Sequence, residues 1–558
     1  MSLCKINIQD RNYTSWELVD TKSLKPIKLK ICPIKLKLFN QDIFSQGQDI
    51  FSQGQVIDSP TRSMKYIPGV LVLEGNRMYG KVKRNRYYYR VVPDDRCLPE
   101  FLMAYSPKIR FEKKQKNKYV LFRFKEWYEK HPICTNIQTI GDIGILENFY
   151  EYQLYCKGLY VSIKDFTKKT KLKPEEILIN EIREKYEVED RTDWEVISID
   201  PLNSKDFDDA FGMVDKGDTI LLSIYISNVS FWMDILDLWD SFTNRIATIY
   251  LPDKKHPMLP IILSDSLCSL QENKIRFAFT MDLLIDKNNY EILETKFINT
   301  CIKVTKNLRY DTEEQENYPL YKKMFRFIKG MSKRYKYVDQ LDSSHDIVAY
   351  TMILMNYMVA KEFMKHKTGI FRTAKLGDFK EQENVPDNIK KFLKMWSSKG
   401  GKYVKYEEVS GHDMLGLEAY VHITSPIRRL VDLLNIIELQ NILGLCRLGV
   451  PFYKRWIEKI EYINITMRSI RKVQNDCALL NVCVNDEGIT NREHEGFIID
   501  KIQKDDLYKY MVYFPEIKMV NRFSSRYEKE NLSKHKFRLF IFLDEIKLRE
   551  KIRIELVD

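Results

Sequence analysis

Four aspartates stand close together in one short segment of the chain. Asp200, Asp206, Asp208 and Asp209 lie within Ile199–Ala210, where a single lysine offsets them and apolar residues flank both ends. Carboxylates crowded at a buried edge raise one another's pKa unless a cation neutralises them. Oxygen ligands favour hard ions such as Mg²⁺ or Mn²⁺. Two such ions can bind the attacking and the leaving oxygen when a phosphodiester is cleaved. The segment therefore predicts a metal site for phosphodiester chemistry, and a solvated acidic turn is the alternative.

Two adjacent arginines form a second candidate site. Arg428 and Arg429 follow a Thr-Ser-Pro sequence at 424–426, which predicts a helix that has the threonine or serine as its N-cap and the proline in its first turn. Two cations in a first turn are unfavourable unless an anion binds there. Asp432 is spaced to orient either arginine. The pattern indicates an anion site, and an ordinary surface ion pair is the alternative.

A third candidate region combines basic and aromatic residues near the N-terminus. Its members are Lys83, Arg84, Arg86 and Tyr88. Rings that stack on bases and cations that follow phosphates are typical of platforms for single-stranded nucleic acid. A solvated strand with its tyrosines packed inward explains the pattern equally well.

Composition narrows the function classes. The chain has 558 residues and a formal charge of +12, which favours a polyanionic partner such as nucleic acid, although a soluble lysine-rich protein would also show it. No apolar run is long enough for a membrane span, and the first twenty residues do not resemble a secretory signal. Ten scattered cysteines without a CxxC pair predict a reduced, intracellular compartment. Neither a phosphate-binding glycine loop nor an HExxH motif occurs.

Hydrophobic patterning predicts the elements that must position these residues. Short strand signals from about 62 to 180 and again from 495 to 558 indicate small β-barrels. The intervening block, about 190–485, predicts an α/β or α+β domain with helices over Ser344–His366 and from Pro426 to about Leu443. Lysines alternate with apolar residues from Lys25 to Lys37, which predicts an edge strand or an extended arm, and an identical heptapeptide stands at 41–47 and 48–54.

The aspartate and arginine segments together resemble the RNB family of 3′→5′ exoribonucleases, which includes bacterial ribonucleases II and R and the exosome catalytic subunit. The resemblance continues between them, through Tyr250–Asp253, Pro257–Pro260, Leu263–Leu270 and Arg276–Phe279, in the order that the family has. It covers roughly residues 190–440. Several long motifs in the right order make coincidence a poor explanation.

The resemblance implies an α+β fold in which a central RNB catalytic domain is flanked by small OB-type β-barrels, cold-shock-like before it and S1-type after it. The implied boundaries are an N-terminal extension at 1–60, a partial first cold-shock-like barrel at 61–95, a second at 96–185, the RNB domain at 186–490 and an S1-type barrel at 491–558.

The resemblance also implies roles for individual residues. Metal ligands are expected at Asp200, Asp206, Asp208 and Asp209. Catalytic roles are expected for Asp208, Asp209, Arg428 and Tyr310. RNA contacts are expected at Tyr250, Arg429, Lys83, Arg84, Arg86 and Tyr88. The implied reaction is Mg²⁺-dependent hydrolysis, with Mn²⁺ as a substitute, of single-stranded RNA from its 3′ end to nucleoside 5′-monophosphates.

Three departures from the family pattern leave a second hypothesis open. An expected acidic pair is replaced by Ala349-Tyr350, Asn228 stands where an aspartate is usual, and Ile436 stands where a histidine is usual. None of them removes a metal aspartate or Arg428. The alternative is therefore a catalytically weakened RNB relative that binds RNA.

Overall fold

The computed structural model describes residues 3–29, 31–45, 56–82, 86–106, 115–170, 174–338, 340–376, 386, 389–390, 392–393, 396, 398–504 and 507–557. The chain divides into two compact units. One comprises Met1–Tyr160 and Asn475–Asp558, and the other comprises Val161–Gln474. The candidate aspartates and arginines all belong to the second unit.

The N-terminal residues form a sheet of their own rather than an extended arm. Its five strands are, in spatial order, Pro26–Ile27, Trp16–Asp20, Leu3–Ile8, Ile43–Ser45 and Val56–Asp58. Alternate residues of the first strand are buried, as a sheet with one covered face requires. The short strand Pro26–Ile27 lies at one edge of this sheet, so that part of the lysine-rich stretch forms an edge strand. The N-terminal extension at 1–60 stays a prediction. The second copy of the heptapeptide lies outside the described residues.

The next sheet has six strands and closes on itself. In spatial order they are Ile67–Leu71, Lys118–Glu126, Ile133–Asp142, Phe101–Tyr105, Arg86–Pro93 and Lys81–Val82, and Ile67–Leu71 also pairs with Arg86–Pro93. The predicted boundary between residues 95 and 96 is wrong, because strands on either side of it are hydrogen-bonded neighbours. Residues 67–142 thus form one barrel where the sequence suggested two. Helices in this region span Pro60–Ser63 and Leu146–Cys156.

The C-terminal residues of the first unit form a third sheet. Its five strands are, in spatial order, Met519–Ser525, Leu507–Phe514, His494–Lys504, Lys534–Asp544 and Arg549–Leu556. Helix Glu487–Asn491 precedes it, and the side chains of Ile498, Val512 and Phe537 lie in its core. Strands therefore occupy this region, as the apolar patterning predicted.

The second unit is built on a seven-stranded sheet. In spatial order its strands are Glu189–Arg191, Ile292–Lys303, Ile275–Asp286, Thr219–Ser227, Asp209–Asp215, Ile197–Asp200 and Lys306–Arg309. Smaller pairs join Ile249–Tyr250 to Lys255–His256 and Ile370–Leu376 to Ser398–Lys405. The sheet therefore brings Asp200 and Asp209 to the ends of adjacent antiparallel strands.

Helices cover the sheet and complete its core. The helices of this unit span Lys164–Lys169, Glu175–Lys185, Val229–Ile235, Glu313–Asn317, Pro319–Met331, Ser344–His366, Leu430–Ile442 and Val450–Ile457. Helix Ile460–Asn485 begins in this unit, and its residues from 475 on belong to the first. The Ser344–His366 prediction is confirmed, and a reciprocal capping box between Ser343 and Asp346 starts this helix. Its apolar side chains pack with those of the sheet strands. The predicted α+β fold, with β-barrel sheets before and after the central domain in the chain, is confirmed.

The helix after the arginines begins later than the sequence predicted. It spans Leu430–Ile442, Arg429 is its N-cap, and residues 426–428 form a turn before it. The side chain of Ser425 bonds to Arg428 instead of capping the helix. The expectation that both arginines lie in a first helical turn is therefore wrong.

No helix among the described residues combines the length and apolar character that crossing a bilayer would need.

Candidate active site

The aspartate loop, residues 201–208, connects two neighbouring strands of the central sheet. Asp200 ends the strand before it and Asp209 begins the strand after it. Because these strands are antiparallel neighbours, their linked ends meet at one edge of the sheet. The backbone N–H of Tyr310 donates to the Asp200 carbonyl over 3.1 Å. Three of the predicted site residues are thereby brought together by sheet topology.

Ser269 fixes the centre of the aspartate loop. Its buried hydroxyl accepts a hydrogen bond from the backbone N–H of Phe207 (3.0 Å) and donates one to the carbonyl of Lys205 (2.8 Å). The Leu270 N–H adds a bond to the Phe207 carbonyl over 3.0 Å. The loop is therefore held in one conformation by a segment more than sixty residues away in sequence.

Asp208 joins the aspartate loop to the arginine turn. Its Oδ1 accepts a hydrogen bond from the backbone N–H of Ile427 (2.9 Å), and its Oδ2 accepts one from Nε of Arg428 (3.1 Å). Arg428 Nη2 donates to Ser425 Oγ over 3.0 Å, yet 46% of the arginine side chain remains exposed. The guanidinium is thus anchored by two of its nitrogens and still accessible to an anion.

Arg429 has a different partner. Its Nη2 donates to Oδ1 of Asp432 over 2.7 Å, and the aspartate is fully buried. The same Oδ1 accepts the backbone N–H of Ser425, which fixes the turn before the helix. Of the two arginines that Asp432 was expected to orient, the structure therefore pairs it with Arg429. The RNA contact predicted for Arg429 stays a prediction.

Asp206 is paired with a lysine that the sequence had not singled out. Lys255 Nζ lies 3.1 Å from Asp206 Oδ1 and 3.0 Å from Asp265 Oδ1. Lys255 belongs to a two-stranded hairpin in which it faces Tyr250. Asp265 lies in a turn of π-helix at Leu263–Leu267 and accepts the hydroxyl of Ser264. One of the four predicted metal aspartates is thus neutralised from within the protein.

The remaining carboxylates carry shifted pKa values. Burial raises the pKa of Asp200 to about 7, and it raises the pKa of Asp208 to about 7 although Arg428 opposes the shift. Burial, and then the charges of Asp200 and Asp208, raise the pKa of Asp209 well above its usual value. Carboxylates that are costly to ionise together require a counter-cation to stay charged near neutral pH.

The carboxylate oxygens of these residues are suitable ligands for a divalent ion. Oδ2 of Asp200 is buried and has no hydrogen-bond partner, and carboxylate oxygens are the ligands that Mg²⁺ and Mn²⁺ prefer. Within the described part of the chain, however, no three His, Cys, Asp or Glu side chains converge closely enough to hold a metal ion. The four aspartates therefore do not form a ready-made ligand set, since Asp206 and Asp208 are turned towards Lys255 and Arg428.

The two predicted tyrosines border the carboxylates, and their roles towards RNA stay predictions. Tyr310 stacks on His345, with ring centroids 3.9 Å apart and planes 14° from parallel. Burial and then Asp209 raise the pKa of Tyr310, while burial and then Asp206 raise that of Tyr250. The Tyr250 ring is 44% exposed. Both rings therefore lie near the aspartates, and Tyr250 is accessible for stacking.

The basic and aromatic stretch near the N-terminus belongs to the other unit. Arg86 is exposed, Tyr88 is partly exposed and the neighbouring Tyr89 is buried in a hydrophobic core. The strand therefore has one ring packed inward and one available to solvent, which is compatible with either interpretation of the sequence. Lys83 and Arg84 lie outside the described residues. The roles of all four in RNA binding stay predictions.

The three departures from the family pattern lie largely in the protein interior. Tyr350 and Ile436 are fully buried in the main core, whereas Ala349 is exposed. Asn228 is also fully buried, where its amide donates to Asn299 over 3.1 Å. Three of the four substituted side chains are thus accommodated by packing and hydrogen bonding.

Sequence reasoning missed the residues that support the site. Lys255 and His345 contact the predicted residues Asp206 and Tyr310 directly, whereas Asp265 acts through Lys255 and Ser269 through the backbone of the aspartate loop. Asp265 and Ser269 lie in the family-like segment Leu263–Leu270, which was the usable signal for these two.

Comparison with known families supports the assignment of the central region. The RNB domain family matches residues 188–316 and 329–444. Ribonuclease R of Ureaplasma parvum is 44% identical over 100 residues, which is 17% of this chain and 14% of that protein. Exoribonuclease 2 of Vibrio vulnificus is 27% identical over 321 residues, which is 44% of this chain and 48% of that protein. The chain thus spans less than half the length of these curated relatives.

Solved structures extend the similarity of fold beyond the central domain. The Mycoplasma genitalium RNase R structure in complex with ribose-methylated single-stranded RNA aligns with a TM-score of 0.66 at 16% identity, covering 99% of this chain and 100% of that one. Yeast Ssd1, described as a pseudonuclease, aligns with a TM-score of 0.59 at 14% identity over 93% of this chain and 78% of that one. The ordered motifs, the aspartate loop facing Arg428 and the domain match agree, and residues 188–316 and 329–444 of this chain are similar to the RNB domain.

Proposed function

We propose that this protein is a divalent-metal-dependent 3′→5′ exoribonuclease that hydrolyses single-stranded RNA to nucleoside 5′-monophosphates. The observation that carries the proposal is the position of Asp208, which bonds to Arg428 from within a loop of buried aspartates. Acidic residues that can hold a hard cation beside an exposed guanidinium form a site suited to phosphodiester hydrolysis. The related enzymes named ribonuclease R and exoribonuclease 2 support the same reaction class.

Asp200 and Asp209 are the residues that would hold a divalent ion, beside Asp208. Burial favours their protonated forms, so that they are charged together only when a cation is present. When bound, Mg²⁺ or Mn²⁺ supplies a water of lowered pKa and polarises a phosphoryl oxygen. The aspartates orient that chemistry because the loop that connects Asp200 to Asp209 is fixed by Ser269.

Arg428 would bind the scissile phosphate. Its Nε and Nη2 are held by Asp208 and Ser425, so the planar group is pre-organised while nearly half of it faces solvent. A rigid, charged donor is worth most where negative charge develops during the reaction. Arg428 therefore stabilises the developing charge on the phosphoryl oxygens.

The tyrosines would orient the 3′ end of the RNA. Tyr250 exposes its ring beside Asp206, and the backbone N–H of Tyr250 is fixed by Gln474 over 3.1 Å. Tyr310 is braced by its stack on His345. Aromatic faces bind unpaired bases with little dependence on sequence, which favours single-stranded RNA, the ligand named for the RNase R neighbour.

Digestion of RNA labelled at its 5′ end tests the reaction and its direction. With Mg²⁺ or Mn²⁺ we expect progressive shortening of the labelled strand from its 3′ end, and mononucleotides from a uniformly labelled strand. Addition of a chelator should stop both. Internal fragments, or intact RNA with either metal, would contradict the proposal.

The variant Asp209→Asn tests whether the Asp209 carboxylate acts in catalysis or only stabilises the structure. Loss of this charge should lower cleavage by ~10²–10³-fold, as does removal of a group that stabilises the reacting centre. RNA affinity should stay within about threefold, because Arg428 and Tyr250 are unchanged. Asp215→Asn, at the opposite and exposed end of the same strand, is the matched control and should cleave normally.

A weakened nuclease that mainly binds RNA is the second candidate. It is favoured by one observation, that Lys255 and Arg428 already neutralise two of the four aspartates and no three ligands converge among the described residues. The pseudonuclease neighbour shows that this fold occurs without cleavage. Tight RNA binding without digestion in either metal would favour this function over the first.

A further inference from the structure

Lys255 lies inside the acidic site and bridges two of its carboxylates. Its ammonium is 3.1 Å from Asp206 and 3.0 Å from Asp265. The side chains of Lys255, Asp206 and Asp265 are only 27%, 12% and 14% exposed. An ion pair so withdrawn from solvent is screened little and is costly to separate. The lysine is therefore a fixed component of the site rather than a surface charge.

The charges around the aspartate loop do not balance without a metal. Five carboxylates face it, those of Asp200, Asp206, Asp208, Asp209 and Asp265. Lys255 is bonded to two of these carboxylates and Arg428 to one, and Arg309 lies beside the loop, 5.1 Å from the Phe207 ring and 3.1 Å from the Pro201 carbonyl. Apart from the exposed Lys205 of the loop, five negative and three positive charges leave two negative charges, which is the charge that one divalent ion neutralises.

We infer that Lys255 takes the place of a second metal ion, so that the site binds a single divalent cation through Asp200 and Asp209. Asp206 is then a partner of the lysine and not a metal ligand. A second divalent ion at Asp206 would have to displace the ammonium and leave it near another cation. The inference rests on the proposed function, because it concerns how that site is charged.

Lysine 255 has a close sequence neighbour that serves as its control. Lys254 ion-pairs with Asp253 at 3.6 Å, and 52% of its side chain is exposed. Its replacement removes the same charge from the same hairpin without entering the acidic site. Lys255→Met and Lys254→Met therefore differ in position but not in net charge.

Titration of Mn²⁺ into the chelator-stripped full chain, with free Mn²⁺ counted by electron paramagnetic resonance, tests the inference. We expect one bound ion for the wild type and for Lys254→Met. Lys255→Met should bind a second ion, or bind the first at least about tenfold more tightly, because a repelling charge is removed. Lys255→Arg keeps the positive charge and should therefore bind one ion. This variant gives a result even if Lys255→Met does not fold.

Asp206→Asn provides an independent comparison. If Asp206 serves the lysine, this variant should still bind one ion, whereas Asp209→Asn should bind none. Two ions on the wild type, or a loss of binding in Asp206→Asn equal to that in Asp209→Asn, would overturn the inference. Digestion of RNA by a wild-type chain holding two ions would overturn it while leaving the proposed function intact. RNA left intact by a wild-type chain that holds one ion would instead count against the proposed function alone.

Discussion

Asp206 and Asp208 lie two residues apart in one loop, and each is paired with a cation. The two pairs differ in how much of the cation stays accessible to solvent. Asp208 holds Arg428 by Nε, and 46% of the arginine side chain remains exposed. Asp206 shares Lys255 with Asp265, and 27% of that lysine is exposed. One pair therefore presents a positive charge to an external anion, whereas the other is a closed cluster.

The difference follows from the shapes of the two cations. A guanidinium is a planar fork, so that a carboxylate and a hydroxyl can hold one part of it while the rest points elsewhere. An ammonium is a compact charge that two carboxylates can surround. The Asp208 side of the loop is thus organised for the phosphate of a substrate, and the Asp206 side is organised to stabilise the loop itself.

The largest expected effect comes from Arg428→Lys, which keeps the charge and removes the fork. A lysine cannot bond to Asp208, Ser425 and a phosphate in the same geometry, so the cleavage rate should fall by ~10²–10³-fold. Arg429→Lys is the matched control, since its partner is the buried Asp432. It should lower the free energy of unfolding by about 1–2 kcal/mol and leave cleavage within a few-fold. Equal losses of cleavage would erase the distinction between the two arginines.

A smaller effect is expected from pH in the metal-free protein. The folded chain retains protons on Asp200 and Asp208 up to about pH 7, whereas an unfolded chain releases them near pH 4. The folded state thus binds more protons between these values, and its stability must fall as the pH rises through this window. The melting temperature in chelator should therefore be lower at pH 8 than at pH 5, and Asp200→Asn should reduce that difference.

Divalent ions should reverse this loss. At pH 8, Mn²⁺ at about 100 times its Kd should stabilise the fold by ~2.7 kcal/mol, and much less at pH 5, where protons occupy the carboxylates. Scanning calorimetry at both pH values measures the two effects together. A melting temperature that does not respond to Mn²⁺ at pH 8 would show that the aspartates are not a metal site.

The aspartate segment illustrates what the sequence could predict. The density of carboxylates between apolar strands indicated a buried acidic site, and the structure places Asp200 and Asp209 on adjacent strand ends. The Ser344–His366 helix was predicted to the residue from its apolar pattern, and in the structure a capping box at Ser343 and a left-handed C-cap at Lys367 delimit it.

The start of the arginine helix could not be predicted in the same way. A serine before a proline is an ordinary N-cap signal, but Ser425 uses its hydroxyl for Arg428 and its N–H for Asp432. Tertiary contacts thus overrode local propensity. Lys255 was missed for a related reason, since its two partners lie 49 and 10 residues away and nothing in the sequence pairs them.

The smallest expected effect tests what holds the two aspartates in place. Ser269→Ala removes the hydroxyl that binds the loop at both Lys205 and Phe207. The buried N–H of Phe207 and the partly buried carbonyl of Lys205 then lose a partner, which should lower the free energy of unfolding by about 1–3 kcal/mol, measured by urea denaturation. Ser266→Ala, a partly exposed serine of the preceding turn, should change it by less than about 0.5 kcal/mol. Because the loop contains both Asp206 and Asp208, a looser loop should weaken both the Lys255 pair and the Arg428 pair. If the variant loses cleavage but binds Mn²⁺ as the wild type does, only the Arg428 pair depends on the conformation of the loop.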